Sequence, residues 1–319
     1  MEWSDRIGRR LKPRDLHVFM AVAEQASMAK AAEQLAISRP VVSKTIADLE
    51  RTLGVRLLDR TARGIEPTLF GRALLKRSLA VFDELRQSVK EIEFLADPNV
   101  SELRIGFSEV PAAGLVPAAI DRLSRRYPRM SVQTEEGNAA TVLDRLRSRR
   151  CELAVIRPPA TEPDLVAEPL CHEQLFVVVG AQSKWARRRK VTLIELLDEP
   201  WILSGPEIQP GGAAFEAFRA IGAAVPQVVT SNSLNLRYGL LETGRFVTFI
   251  PGSALRYGPR RAPIHVLPIE ISRWSLPLSA VTLKDRTLSP IAQLFIDCLH
   301  DLAKALEKGT NPHSFRRGQ

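Results

Sequence analysis

Cysteine is scarce in this chain: Cys151, Cys171 and Cys298 are the three among 319 residues. They lie far apart with no C-x-x-C spacing, which argues against a disulfide framework and a thiolate zinc site and leaves buried thiols within or beside apolar runs. The five histidines show no metal-ligand spacing. A phosphate-cradling G-x-x-x-x-G-K-S/T loop is missing, and GFSEV (106–110) lacks the second glycine of a nucleophile elbow. The chain therefore reads as a non-enzyme with no cofactor. No window reaches the roughly 18 apolar residues of a membrane span, and the charged start, MEWSDRIGRRLKPRDL, has no apolar export core. The expectation is a cytoplasmic protein with no membrane partner. Repeats and low-complexity segments are absent too.

What is present is basic charge, unevenly placed. Lys and Arg number 45 against 36 Asp and Glu, a formal net charge of +9. Residues 1–77 hold fifteen basic and nine acidic side chains, and the next twenty-one hold two and five. A positive N-terminal field suits a module that displaces counterions from DNA.

Within that field, residues 27–54 write two helices separated by a tight turn. The first, Met28 to Ala36, follows Ser27, an N-cap type, and carries Ala31, Ala32 and Leu35 on one side. The second follows Ser38, has Pro40 in its first turn, and repeats Val42, Ile46, Leu49 and Leu53 as one buried stripe. Its opposite face begins with Arg39, Pro40, Ser43 and Lys44, as in a helix that points its N-terminal residues at base edges. Taken alone, the pair could be an ordinary amphipathic hairpin. Upstream, Leu16, Phe19, Met20 and Ala23 supply a third helix. Downstream, Leu57 and Leu58, a turn over 62–64 and Ile65 form a two-stranded wing, with Arg56, Arg60 and Arg63 placed for phosphates.

Thr68 then caps a long helix to about Ala96, with Phe70, Leu74, Val81, Leu85, Val89, Ile92 and Ala96 in a near-heptad seam. Such a stripe calls for the same helix of a second chain, or else for packing on the protein's own domain. Asp97, Pro98 and Asn99 end it. From Ser101, strands alternate with helices: LRIGF, a helix near 113–126, MSVQTE, a helix near 141–149, and ELAVI, a pattern that argues a parallel sheet. A Pro-rich passage, 157–169, precedes QLFVVVG. A basic loop (184–190), a helix at 193–197, WIL, a helix near 213–221, VVT, a helix at 233–243 and VTFI make a second set. IHVLPI, PLSAVTL and a helix from Ser289 to about Glu307 follow, with a disordered tail after Lys308. Two sets of similar size, each with its own sheet, imply two lobes and a cleft. The strand ends place Ser108, Asn138, Thr141, Arg157, Ser204, 231–233 and Thr248 there, although each could equally be a helix cap.

These residues together identify the chain as resembling the LysR-type transcriptional regulators over nearly its whole length. The match is carried by Leu16, Phe19, Val22, Ala23, Ser27, Ala31, Ala32, Leu35, Ser38, Pro40, Val42, Ser43, Ile46, Leu49, Glu50, Leu53, Gly54, Leu57, Arg60, Thr68 and Gly71. The resemblance implies an α-rich winged helix-turn-helix (1–67), a dimerising linker helix (68–98) and a two-lobed α/β effector region of the type 2 periplasmic-binding-protein kind (99–319). Lobe 1 would take about 99–168 plus 272–308, and lobe 2 about 169–271. It implies homodimers or homotetramers on imperfect promoter palindromes, with RNA polymerase as a further partner. DNA-binding positions correspond to Ser27, Arg39, Pro40, Val41, Ser43 and Lys44, with Arg60 and Arg63 on the wing. The family more often has Gln at Arg39 and a small residue at Val41, so this operator would differ. Effector positions correspond to Ser108, Ser204 and Thr248, joined by Asn232 and by Arg157 from the strand ends. A looser likeness to the galactose-binding-protein regulator branch hints at a sugar or a small organic acid. The rival is a low-specificity DNA-binding protein without an effector, for which a cleft domain has no use.

Overall fold

A computed structural model describes residues 11–61, 64–158, 162–258, 264–269 and 275–308. The chain divides into two compact units, Met1–Val89 and Lys90–Gln319. In the first, α1 (Pro13–Gln25), α2 (Met28–Gln34) and α3 (Arg39–Leu53) pack around Phe19, Val22, Ala31, Val42, Ile46 and Leu49. Their apolar residues recur every three or four positions, so each helix turns one stripe inward. Ser27 Oγ caps α2 by accepting from Lys30 N at 3.4 Å. Ser38 opens α3 without a side-chain capping bond, and Gly54, at φ 72°, closes it in the left-handed region where glycine is unstrained. Strands β1 (Leu58–Thr61) and β2 (Gly64–Pro67) pair antiparallel as the expected wing.

Helix α4 (Leu69–Ala96) follows at once. Thr68 Oγ1 accepts from Gly71 N at 3.0 Å and donates to Arg56 O at 2.7 Å, tying the helix start to the wing. A Cβ at Gly71 would meet Leu57 O at 2.0 Å, which explains why only glycine fits there. The seam residues Phe70, Val81, Leu85, Val89 and Ile92 are exposed in the single chain, while Ser78, Asp83 and Gln87 of the same helix are buried. That inverts the usual amphipathic arrangement.

The second unit contains β3 (Glu102–Phe107), α5 (Glu109–Ala112), α6 (Leu115–Arg126), β4 (Ser131–Glu136), α7 (Ala139–Arg147) and β5 (Leu153–Ile156). Then come β6 (Leu165–Gly180), β7 (Trp201–Leu203), α8 (Gly205–Ile208), α9 (Ala213–Ala220), β8 (Val228–Thr230), α10 (Leu234–Glu242), β9 (Val247–Pro251) and α11 (Gly252–Tyr257). β10 (Ile264–Val266), β11 (Ser275–Leu283) and α12 (Pro290–Lys308) complete it. Strand order is β4-β3-β5-β11-β6-β9-β7-β8, with β10 beside β6. One lobe packs β3 and β5 against α6 and α12 through Ile105, Leu115, Phe295 and Leu299. The other gathers Val177, Trp201, Phe218 and Phe249, with Trp201 Nε1 donating to Leu196 O at 2.8 Å.

Three expectations need correction or refinement. The sheet is mixed rather than parallel, since β11 runs antiparallel to β5 and β6, and β6 antiparallel to β9. Each lobe has its own ladder of strands, and the two share one strand: β6 pairs with β11 over Leu165–Gln174, then with β9 over Leu175–Val179. The Pro-rich passage is partly strand, because Pro169 lies opposite Ser279, where the ladder shifts register and a missing N–H is tolerated. The helix expected at 193–197 shrinks to one 3-10 turn, Ile194–Leu196, and α8 and α11 are one-turn helices that periodicity is too short to reveal. All three cysteines are buried free thiols. Burial pushes the Cys151 thiol up to about 11 and the Cys171 thiol up to about 12. The expected disordered tail lies outside the described residues.

Candidate functional site

The first candidate surface is the N-terminal half of α3. Val42, Ile46 and Leu49 anchor the helix inward, which leaves Arg39, Pro40, Val41, Ser43 and Lys44 exposed together. Arg39 and Lys44 stand exposed at its polar start, as a nucleic-acid-facing helix requires. Ser27 is half-buried at the start of α2, and Arg60 is exposed on β1. Arg63 lies outside the described residues. Glu50, which belonged to the family pattern but had no assigned role, accepts from Leu57 N at 2.7 Å and Leu58 N at 3.3 Å. Its carboxylate thus fastens the wing to α3. A separation of seven and eight residues follows no helix or strand period, so no sequence signal marks it.

The second candidate is a cavity of about 350 Å³ in the second unit. Parallel strands direct their carboxyl ends toward it: Ser108 follows β3, Arg157 follows β5, Ser204 follows β7 and Asn232 precedes α10, and all four line the cavity. Ser108 precedes α5 but makes no side-chain capping bond. Asn138 also lines the cavity, yet its side chain caps α7 by accepting from Thr141 N at 2.9 Å, and Ser233 caps α10 through Leu236 N at 3.2 Å. The cap alternative holds for those two, and Ser204 stands at the N-cap of α8 in a capping box with Glu207.

Thr248 is not brought to the cavity wall. It is fully buried in β9, with Oγ1 donating to Ile202 O and accepting from Arg237 Nη1 at 3.4 Å. Between Thr248 and the cavity stands Arg237, a residue absent from the expected set because α10 read only as a helix. Arg237 is buried and lines the cavity. Its Nη1 donates to Glu207 Oε1 at 3.3 Å and Phe249 O at 3.2 Å, and its Nη2 to Glu207 Oε2 at 2.9 Å and Ser231 O at 3.3 Å. Glu109 Oε1 lies 3.3 Å from the same Nη2. Glu207 in turn accepts from Ser204 N at the start of α8, so the strand end, the short helix and α10 form one polar network. Burial pushes the Glu109 carboxyl up to about 7, against the pull of Arg237 and with help from the Glu207 and Glu136 charges. Apolar walls come from Val110, Leu175, Leu276 and Leu278. Largely apolar walls with a few placed polar groups are what a small-molecule site requires.

Comparison with known proteins gives two family matches. Residues 13–72 match the bacterial regulatory helix-turn-helix protein of the lysR family, and residues 96–304 match the LysR substrate binding domain. The uncharacterized HTH-type transcriptional regulator YdcI of Escherichia coli (strain K12) is 26% identical over 94% of this chain and 98% of its own. HTH-type transcriptional regulator GbpR of Azospirillum brasilense is 28% identical over 91% and 86%. Among solved structures, full-length OxyR from Pseudomonas aeruginosa has a TM-score of 0.65 at 23% identity, over 91% of this chain and 94% of that one. CbnR in complex with its target DNA has a TM-score of 0.54 at 23% identity, over 92% and 100%. These relatives are regulators, not enzymes.

Proposed function

The chain belongs to the LysR family of bacterial transcriptional regulators, and we propose that it binds a promoter sequence-specifically, as a homodimer or homotetramer, under control of a small molecule in the cavity. The observation that carries this reading is the pairing, in one chain, of a bare polar α3 N-terminus with a built, mostly apolar cavity at converging strand ends. Arg39 reads a guanine edge and Ser43 and Lys44 complete the contact, while Ser27 and Arg60 meet phosphates. The exposed seam of α4 pairs with its copy in a second chain, because a stripe of Val81, Leu85 and Val89 left in water is a large unfavourable apolar surface. Occupation of the cavity changes the relation of the lobes, and through α4 the spacing of paired recognition helices. The protein works in the cytoplasm with RNA polymerase as partner.

Footprinting on the chain's own upstream DNA tests this. Protection of a dyad, altered in extent or bending by a compound that also raises the melting temperature, is the expected result. Equal affinity for random and promoter DNA at all salt concentrations overturns it.

A further inference from the structure

We propose that the small molecule taken by this cavity is an organic ammonium compound, its nitrogen seated against Glu109 and its hydrocarbon part on the apolar wall. The proposal rests on the reading of the cavity as the effector site and names the chemistry of what enters it.

The argument is one of charge already spent. Arg237 is the buried cation of the cavity, and a carboxylate ligand would need its fork. That fork is taken: both Glu207 oxygens grip it, and the Ser231 and Phe249 carbonyls hold the same two nitrogens. Glu109 is left with a share of Nη2, at 3.3 Å, that Glu207 approaches more closely, at 2.9 Å. Two carboxylates therefore divide one guanidinium. Glu136 and Arg157, both exposed, add one carboxylate and one cation to the lining and offset each other. An incoming anion meets Glu109 with no unshared buried cation beside it. An incoming ammonium meets a carboxylate that lacks a full partner, which is the condition under which a charge can leave water.

An ammonium group carried on a small hydrocarbon part fits a cavity of about 350 Å³.

Burial is the main cause of the raised pKa of Glu109, about 7; Arg237 pulls it down, and the Glu207 and Glu136 charges push it up. The groups facing Glu109 are thus Arg237 from α10, Glu207 from α8 and Glu136 from the end of β4, with Arg157 on the same lining. An ammonium ligand binds the ionised form of Glu109 and loses affinity as pH falls through 7. A carboxylate ligand shows the reverse.

The test uses the full chain and three compounds on one skeleton: phenylglycinol (amine and hydroxyl), mandelate (carboxylate and hydroxyl) and phenylethanediol (two hydroxyls). Melting temperature and calorimetry are read at about pH 6 and about pH 7.5. Phenylglycinol is expected to bind, with affinity up to about eightfold higher at the upper pH. Glu109→Gln should weaken it by about tenfold or more and flatten the pH dependence, and Glu136→Gln should weaken it less. Preferential binding of mandelate or the diol, lost on Ser108→Ala, overturns the ammonium assignment and leaves the effector cavity standing. Phenylglycinol binding unchanged by Glu109→Gln also overturns the assignment. If none of the three binds, nor any member of a wider panel of amines, acids and polyols, while operator binding is intact, the reading of the cavity itself fails.

Discussion

Replacing Glu50 by alanine should open the wing. In the native unit its carboxylate accepts from the amides of Leu57 and Leu58, whose residues are 1% and 7% exposed. A hydrogen bond to a charged acceptor contributes about 1.5–3 kcal/mol, and a buried donor left without an acceptor costs about 1–3 kcal/mol. The 2.7 Å bond should count fully and the 3.3 Å bond only in part. The sum is about 3 kcal/mol, on the order of a 150-fold change in the equilibrium for opening the wing from α3. Amide hydrogen exchange on the full chain reads it directly: the Leu57 and Leu58 amides should lose about two decades of protection, on the scale of local openings. Glu50→Gln, which keeps an oxygen acceptor, should lose about 1 kcal/mol. If the wing meets phosphates as proposed, DNA affinity should fall in parallel for cognate and random sequence. If the two amides in Glu50→Ala exchange as in the parent, the carboxylate does not hold the wing and the reasoning is wrong.

Four other outcomes can be measured. Arg39→Ala should cost about 1–3 kcal/mol on the cognate site and little on random DNA, whereas Arg60→Ala should weaken both and lower the salt slope by about one; equal losses for Arg39→Ala would sink its role in base reading. Gly71→Ala should lower the melting temperature of the N-terminal unit sharply, since its Cβ would lie 2.0 Å from Leu57 O; an unchanged melting curve would contradict the contact. Leu85→Lys with Val89→Lys should shift sedimentation toward monomer if the exposed α4 seam is the dimer contact. Glu173 is fully buried, accepts from Ser253 N at 2.8 Å, and is raised above the 4.5 of a free carboxyl by burial. The folded state therefore holds its proton longer than the unfolded one, so this group's contribution weakens as pH rises above about 4.5. Urea denaturation of Glu173→Gln should show a smaller loss of stability with rising pH than the parent; identical slopes would show that Glu173 does not titrate as its burial requires.

The helical unit was legible because its signals are short in range. Val42, Ile46 and Leu49 state their face by spacing alone, and Ser27 and Thr68 sit where orphan amides need an oxygen. The exposed seam of α4 was legible for the same reason. The lobes were legible as alternating elements but not as a pairing pattern, because sheet order depends on contacts between distant segments. Nothing local to Leu165–Gly180 announces that one strand serves both lobes, and Pro163 and Pro169 argue against it until the register shift opposite Ser279 is seen.

The cavity shows the same division at the level of single side chains. Ser108, Arg157, Ser204 and Asn232 could be placed because the end of a strand is a position that sequence defines. Thr248 could not, since it sits within β9, where alternation decides whether a hydroxyl faces the cavity or lies beneath it. It lies beneath, holding Arg237 by one contact of 3.4 Å and Ile202 O by another. Thr248 therefore bears on the cavity only through the guanidinium. Thr248→Val removes an acceptor from Arg237 while keeping the volume, so it should disturb ligand affinity less than Glu207→Gln, which loosens the bidentate grip. If the valine variant abolished binding while Glu207→Gln did not, Thr248 would have to reach the ligand directly, and the buried position of its hydroxyl forbids that.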